Sequence, residues 1–348
     1  MNDRLFVATR KGLFILDDLK LGKAHFLGDP VTAVLRHKEA LYAALNLGHF
    51  GVKLRRSTDG GATWQEIAAP AYPPQPEGET KTPWKLAQVW VLESDSSGTL
   101  WAGTIPGGLF RSSDGGTSWT LVESLWNRPE RTGWFGGGYD HPGIHSICID
   151  GTRITVGISC GGVWQSSDAG ASWKLAARGM YAEFMPPERR DDQNIQDPHR
   201  VVQCPAQPGV LWAQHHNGVF RSTDGAASWH EIETVKPSKF GFAAVVHPVD
   251  PDTAWFVPAV KDECRVPVDG KLVVSRTRDG GKSFQVLDKG LPRDAYDLVY
   301  RHGLALDASG RRLALGSTTG GLWVSEDQGD SWKCLSTHLP PIYCVRFA

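Results

Sequence analysis

Ser112-Ser113-Asp114-Gly115-Gly116-Thr117-Ser118-Trp119 decides the fold, because the chain repeats this phrase six times. The other copies are Ser57–Trp64, Ser166–Trp173, Ser222–Trp229, Thr277–Phe284 and Ser325–Trp332. Their aspartates are spaced by 55, 54, 56, 55 and 48 residues. A period of that length marks a repeat architecture. Each phrase lies between strand-like runs, such as Gly108-Leu109-Phe110-Arg111 before it and Trp119-Thr120-Leu121-Val122 after it. Asp accepts hydrogen bonds from nearby backbone N–H groups and Gly tolerates positive φ, so the centre reads as a turn. The closing Trp or Phe is a large apolar wedge for the space between sheets. These aspartates are therefore read as structural, not catalytic.

The pattern Ser/Thr-x-Asp-x-Gly-x-Ser/Thr-Trp resembles the Asp-box of the BNR-repeat proteins. That group includes sialidases, xyloglucan-cutting glycosidases, sortilin-type receptors and photosystem assembly factors. The chain as a whole is similar to a bacterial group of intracellular BNR-repeat proteins labelled glycosyl hydrolase. The resemblance implies a β-propeller.

The strand runs give the blade number. Third strands read Gly51–Leu54, Gly108–Phe110, Gly162–Trp164, Gly218–Phe220, Leu272–Val274 and Gly321–Trp323. A seventh, Gly12–Ile15, follows the strand Leu5–Ala8 and has no repeat phrase. Its missing first strand is supplied by Ile342–Phe347. The expectation is a single all-β domain over residues 1–348: a seven-bladed β-propeller whose N- and C-terminal strands share one blade. Such closure removes the exposed sheet edge.

Composition narrows the function. Formal net charge is −1, which gives no electrostatic footprint for nucleic acid. No apolar run approaches the roughly 18 residues of a membrane span, and no signal peptide precedes Leu5, so a cytoplasmic location is expected. Six cysteines (148, 160, 204, 264, 334 and 344) form no CxxC pair and read as buried thiols.

The long irregular insertions, Pro70–Pro83, Glu123–Pro142, Ala176–Pro198, Pro258–Gly270 and Asp288–Tyr300, all fall on the face opposite the repeat turns. Long loops on one face of a rigid scaffold are where function concentrates. Trp126, Trp134, Phe135, Gly136-Gly137-Gly138 and Tyr139 suggest a lid or platform. Aligned by strand, the entry positions of the seven channel strands are Thr32, Gln88, His145, His199, Phe242, His302 and Tyr343. A second strand ends at the same rim in Gln214-His215-His216-Asn217. Further basic groups nearby are Arg10, Lys11, Arg200, Lys261, Arg265, Arg276 and Arg301, and further acids are Asp140, Asp197, Asp262 and Glu263.

Three chemistries fit these residues. In the first, a carbohydrate-processing enzyme of hydrolase or lyase type acts on a small carbohydrate or acidic sugar. His145, His199, His302 and Tyr343 are the catalytic candidates. Arg200, Arg265, Arg301, His216, Gln88, Asp262 and Glu263 are the substrate-binding candidates, the arginines as bidentate carboxylate clamps. Proton abstraction beside a carboxylate suits this set, whereas hydrolysis needs two carboxylates at a defined separation. In the second, His145, His199 and His302, or His216 in place of one of them, bind a divalent metal. In the third, the propeller is a protein-binding scaffold without chemistry. A sialidase is disfavoured: the Phe/Tyr-Arg-Ile-Pro motif is missing, and the equivalent stretch reads Ala8-Thr9-Arg10-Lys11-Gly12. The large xyloglucan enzymes carry two such propellers, more than 348 residues hold.

Overall fold

A computed structural model describes residues 4–79, 81–136 and 139–348. The architecture is a seven-bladed β-propeller, each blade a four-stranded antiparallel sheet. Blades are numbered here from the innermost strand of each. These strands are Val31–His37 (blade 1), Gln88–Ser94 (blade 2), Ile144–Asp150 (blade 3), Pro198–Gln203 (blade 4), Gly241–Val246 (blade 5), Leu304–Leu306 (blade 6) and Ile342–Phe347 (blade 7). Blade 7 is completed by Arg4–Thr9, Gly12–Asp17 and Lys20–His25, so the two chain ends meet in one sheet. The ladder there pairs Leu5 with Phe347 and Val7 with Val345.

The strands fall into two compact units, blades 1–3 in one and blades 4–7 in the other. Blades 1–3 bury two aromatic-rich clusters. One contains Trp101, Trp134, Trp164 and Trp173, and the other Tyr42, Leu54, Leu92 and Phe110. In the second unit, Trp255, Leu313, Trp323 and Trp332 fill the space between blades 5 and 6. The last Trp of a repeat phrase is thus a packing group, as its size predicts.

The turns explain the phrase. In every copy the first Ser or Thr donates its hydroxyl to Asp Oδ1 at 2.7–2.9 Å and accepts the N–H of the residue four positions on. The Ser or Thr before the aromatic donates its backbone N–H to Oδ1 and its hydroxyl to Oδ2. Hydroxyl donation from Ser118, Ser172 and Ser283, then backbone N–H donation, holds Asp114, Asp168 and Asp279 at about 2. Two successive residues have positive φ in each turn, such as Gly115 (72°) and Gly116 (88°), which is why glycine is favoured there.

Among the described residues no cysteine forms a disulfide. Cys160, Cys204 and Cys344 are buried as expected, but Cys264 and Cys334 are exposed. Cys334 lies on the outermost strand of blade 6, Lys333–Ser336, and outer strands carry one solvated face. Among the described residues no helix is long and apolar enough to cross a membrane.

Candidate functional site

The innermost strands share an irregularity absent from the sequence pattern. Their ladders skip one residue near the start of the strand. This residue is Thr32 in blade 1, Trp90 in blade 2, His145 in blade 3, His199 in blade 4 and Tyr343 in blade 7. In blade 5 the shift falls between Gly241 and Ala244, across Phe242. A bulge re-aims the side chain it carries. The entry residues are therefore set by a backbone device recurring from blade to blade. Two aligned positions differ. In blade 2 the bulged residue is Trp90, while Gln88 starts the strand, paired with Ile105. In blade 6, His302 precedes the strand. It lies beside Cys344 of blade 7, its carbonyl accepting the Val345 N–H at 2.8 Å.

Within blades 4–7 the predicted residues gather around Phe242. The His199 ring stacks on Phe242 with centroids 4.3 Å apart. Arg301 and Arg265 carry their guanidiniums 5.2 and 5.4 Å from the same ring. Phe240 closes edge-on against both His199 and Phe242. His199 Nδ1 lies 2.6 Å from the Gly241 carbonyl oxygen. A carbonyl only accepts, so Nδ1 carries the proton, and Nε2 is the basic atom of the neutral ring. His216 lies edge-on to His199 at 5.4 Å and to Phe184 at 4.9 Å. Exposure divides the two histidines: His199 is 2 % exposed, whereas His216 is half-buried and reaches solvent.

Phe184 comes from the long insertion Ala176–Pro198. The loop is anchored. Tyr181 donates its hydroxyl to Glu231, which also takes Lys239 Nζ at 2.6 Å. Arg190 lies 4.3 Å from the Tyr181 ring, and Asn217 Nδ2 donates to the Tyr181 carbonyl. Burial, then the Glu231 carboxylate, raises the Tyr181 pKa, so this phenol stays protonated.

The remaining candidates are placed as follows. Arg200 is half-buried on blade 4 opposite Gln214. Tyr343 is half-buried, 6.0 Å from the Tyr300 ring. Asp262 takes Arg265 at 2.5 Å and orients that guanidinium. Glu263 is exposed and pairs with Lys261 at 3.5 Å; local backbone donation, then the Lys261 ammonium, depresses its pKa. Arg276 belongs to the repeat-turn end, where it binds Asp330 at 2.7 Å and the Gln328 carbonyl.

In blades 1–3, His145 is fully buried and edge-on to Trp90 at 5.4 Å, with Nδ1 2.9 Å from Ser146 Oγ. Asp197 receives the Cys160 N–H at 3.1 Å and the Ser159 hydroxyl at 3.3 Å. The loops over this unit interlock: Arg131 lies 4.1 and 5.5 Å from the centroids of the Trp126 and Trp84 rings, which also meet each other, and pairs with Glu79 at 3.4 Å. Of the suggested lid, Trp134 is buried and donates to Asn194 Oδ1, while Gly137 and Gly138 lie outside the described residues.

Comparison with solved structures supports the fold. Over its full length the chain is similar to the GH74 xyloglucanase from Xanthomonas campestris, with a TM-score of 0.66, 18 % identity and 52 % of that chain covered. The chain thus spans about half the length of that enzyme. It is also similar to YCF48 from Cyanidioschyzon merolae (TM-score 0.58, 13 % identity, 89 % of this chain and 87 % of that one). YCF48 bound to the D1 peptide matches with a TM-score of 0.55 at 16 % identity, over 88 % of this chain and 82 % of that one. No protein-family model and no curated protein matches the sequence.

Proposed function

We propose that this propeller is a carbohydrate-processing enzyme of lyase type, acting on a small acidic sugar at the Phe242 cluster. The observation that carries the reading is one aromatic ring flanked by an imidazole and two guanidiniums, with a solvent-reaching imidazole beside them. Guanidinium forks suit a sugar carboxylate. Arg265 is exposed and held by Asp262, so it meets the ligand first, and Arg301, 7 % exposed, adds charge behind it. His216 is the general base because it reaches solvent. The buried His199 is a positioning residue that sets the place of His216. Removal of the proton beside the carboxylate would form a carbon–carbon double bond, as the adjacent carbon–oxygen bond breaks and the leaving oxygen takes a proton. Asp262 and Glu263 are each engaged by a neighbouring cation, which favours this route over hydrolysis by a carboxylate pair.

The similarities to a xyloglucanase and to YCF48 weigh equally here, both being likenesses of fold. The imidazole–guanidinium cluster is what favours chemistry over a scaffold role. One observation favours a second reading: ring nitrogens of His199 and His216 lie within 4.8 Å of one another, near enough for two ligands of one divalent ion.

The test is an ultraviolet assay for unsaturated product with oligogalacturonates, on the wild-type protein, His216→Ala and Arg301→Ala. Loss of about 100-fold or more in His216→Ala is expected of a general base. Turnover unchanged in both variants would remove the proposal. Inhibition by a chelator, reversed by zinc, would favour the metal reading.

A further inference from the structure

Blade 2 carries a second polar concavity, independent of the Phe242 cluster. Arg111 pairs in register with Trp101 on one side and Thr120 on the other, so the three side chains stand in a row on one face of the sheet. Trp101 belongs to the buried cluster that holds Ile154 and Trp173 of blade 3, so this face is turned toward blade 3. Between the blades, at the end bearing the repeat turns, lies a cavity of about 540 Å³, within the size range of small-molecule sites.

Its wall is rich in hydroxyl groups. Ser96, Ser113 and Thr120 line it together with Arg111, and none of the four has a side-chain hydrogen bond or ion pair among the described residues. Neither neighbouring acid pairs with Arg111. Asp95 is occupied by the Ser97 hydroxyl at 2.6 Å, the Thr99 N–H at 3.0 Å and Trp101 Nε1–H at 3.1 Å. Asp114 is occupied by Ser112 and Ser118 at 2.8 and 2.6 Å. The cavity therefore offers one guanidinium outside any ion pair among the described residues and several hydroxyls, beside Trp101.

We infer that this cavity binds a monosaccharide carrying a single anionic group. Arg111 would receive the phosphate or carboxylate in a charge-assisted contact. Ser96, Ser113 and Thr120 would exchange hydrogen bonds with the sugar hydroxyls.

The test follows the Trp101 indole N–H resonance during titration with glucose 6-phosphate, glucuronate, glucose and inorganic phosphate. A saturable shift with glucose 6-phosphate or glucuronate is expected, and which one binds more tightly identifies the anion. Affinity should fall about tenfold or more in Arg111→Ala, the loss expected for one charged hydrogen bond. It should be partly kept in Arg111→Lys and unaffected in His216→Ala. Arg111 is exposed, so its replacement should leave the fold intact. Absence of a shift with both anionic sugars, or equal affinity in Arg111→Ala, would overturn the site. Equal binding of inorganic phosphate and glucose 6-phosphate would overturn its selectivity for a sugar.

Discussion

The rings of His199 and Phe242 lie 4.3 Å apart and 11° from parallel. The residues come from adjacent blades, each at the irregular start of its innermost strand. The stack fixes the plane of the imidazole, and the Gly241 carbonyl fixes its rotation. Two torsions are thereby removed before any ligand arrives, a form of preorganisation. Phe242→Leu keeps apolar bulk but loses the stack. We expect turnover to fall about tenfold while the melting temperature moves by only a few degrees. Steady-state kinetics beside thermal denaturation check this. Equal turnover would show that the stack does not position the imidazole.

The repeat turns set the acid limit of stability. Asp114, Asp168 and Asp279 titrate at about 2 in the fold, held down by hydroxyl and then backbone donors. Unfolded aspartate titrates near about 4. The unfolded chain therefore binds more protons across this interval, and stability falls as pH drops from about 4 to about 2. Melting temperature measured across this range should fall steeply, and Asp168→Asn should reduce the slope. A melting temperature independent of pH there would contradict this role.

Glycine in these turns is required by conformation at some positions and by space at others. A Cβ on Gly116 would lie 2.6 Å from Ile67 Cδ1, at a φ of +88°. Gly116→Ala should cost about 1–3 kcal/mol. Ala169 occupies the preceding turn position in blade 3, is exposed, and has a φ of +56°. Ala169→Gly should stabilise by about 1 kcal/mol or less, relief of left-handed strain being partly offset by unfolded-state entropy. Chemical denaturation of both variants tests the pair, and effects of the same sign would contradict it.

The number and order of the sheets were legible because the repeat phrase recurs at nearly constant spacing. Strand content between copies then leaves one blade to be shared by Leu5–Ala8 and Ile342–Phe347. The entry residues were only partly legible. A bulge depends on the count of residues in the partner strand, so spacing alone aligned Gln88 with His199, although Trp90 is the bulged residue. Arg265 and Arg301 were visible as charges, but their meeting at Phe242 depends on loops of different length. Phe184 left no sequence signal, since the loop carrying it is held by Tyr181, Glu231 and Lys239 from distant segments.

Blade 7 gives a test of closure. Ile342–Phe347 pairs with Arg4–Thr9 and covers that strand's inner edge. Deleting residues 342–348 should abolish soluble, cooperatively folding protein, as followed by size exclusion and calorimetry. A monomeric variant with an unchanged melting temperature would contradict the contribution of the shared blade.

Crystals soaked with glucuronate test the central claim most directly. The proposed function predicts difference density beside Phe242, with the sugar carboxylate on Arg265 or Arg301 and a carbon-bound hydrogen facing His216. A ligand bound elsewhere, with the Phe242 cluster empty at saturating glucuronate, would contradict it.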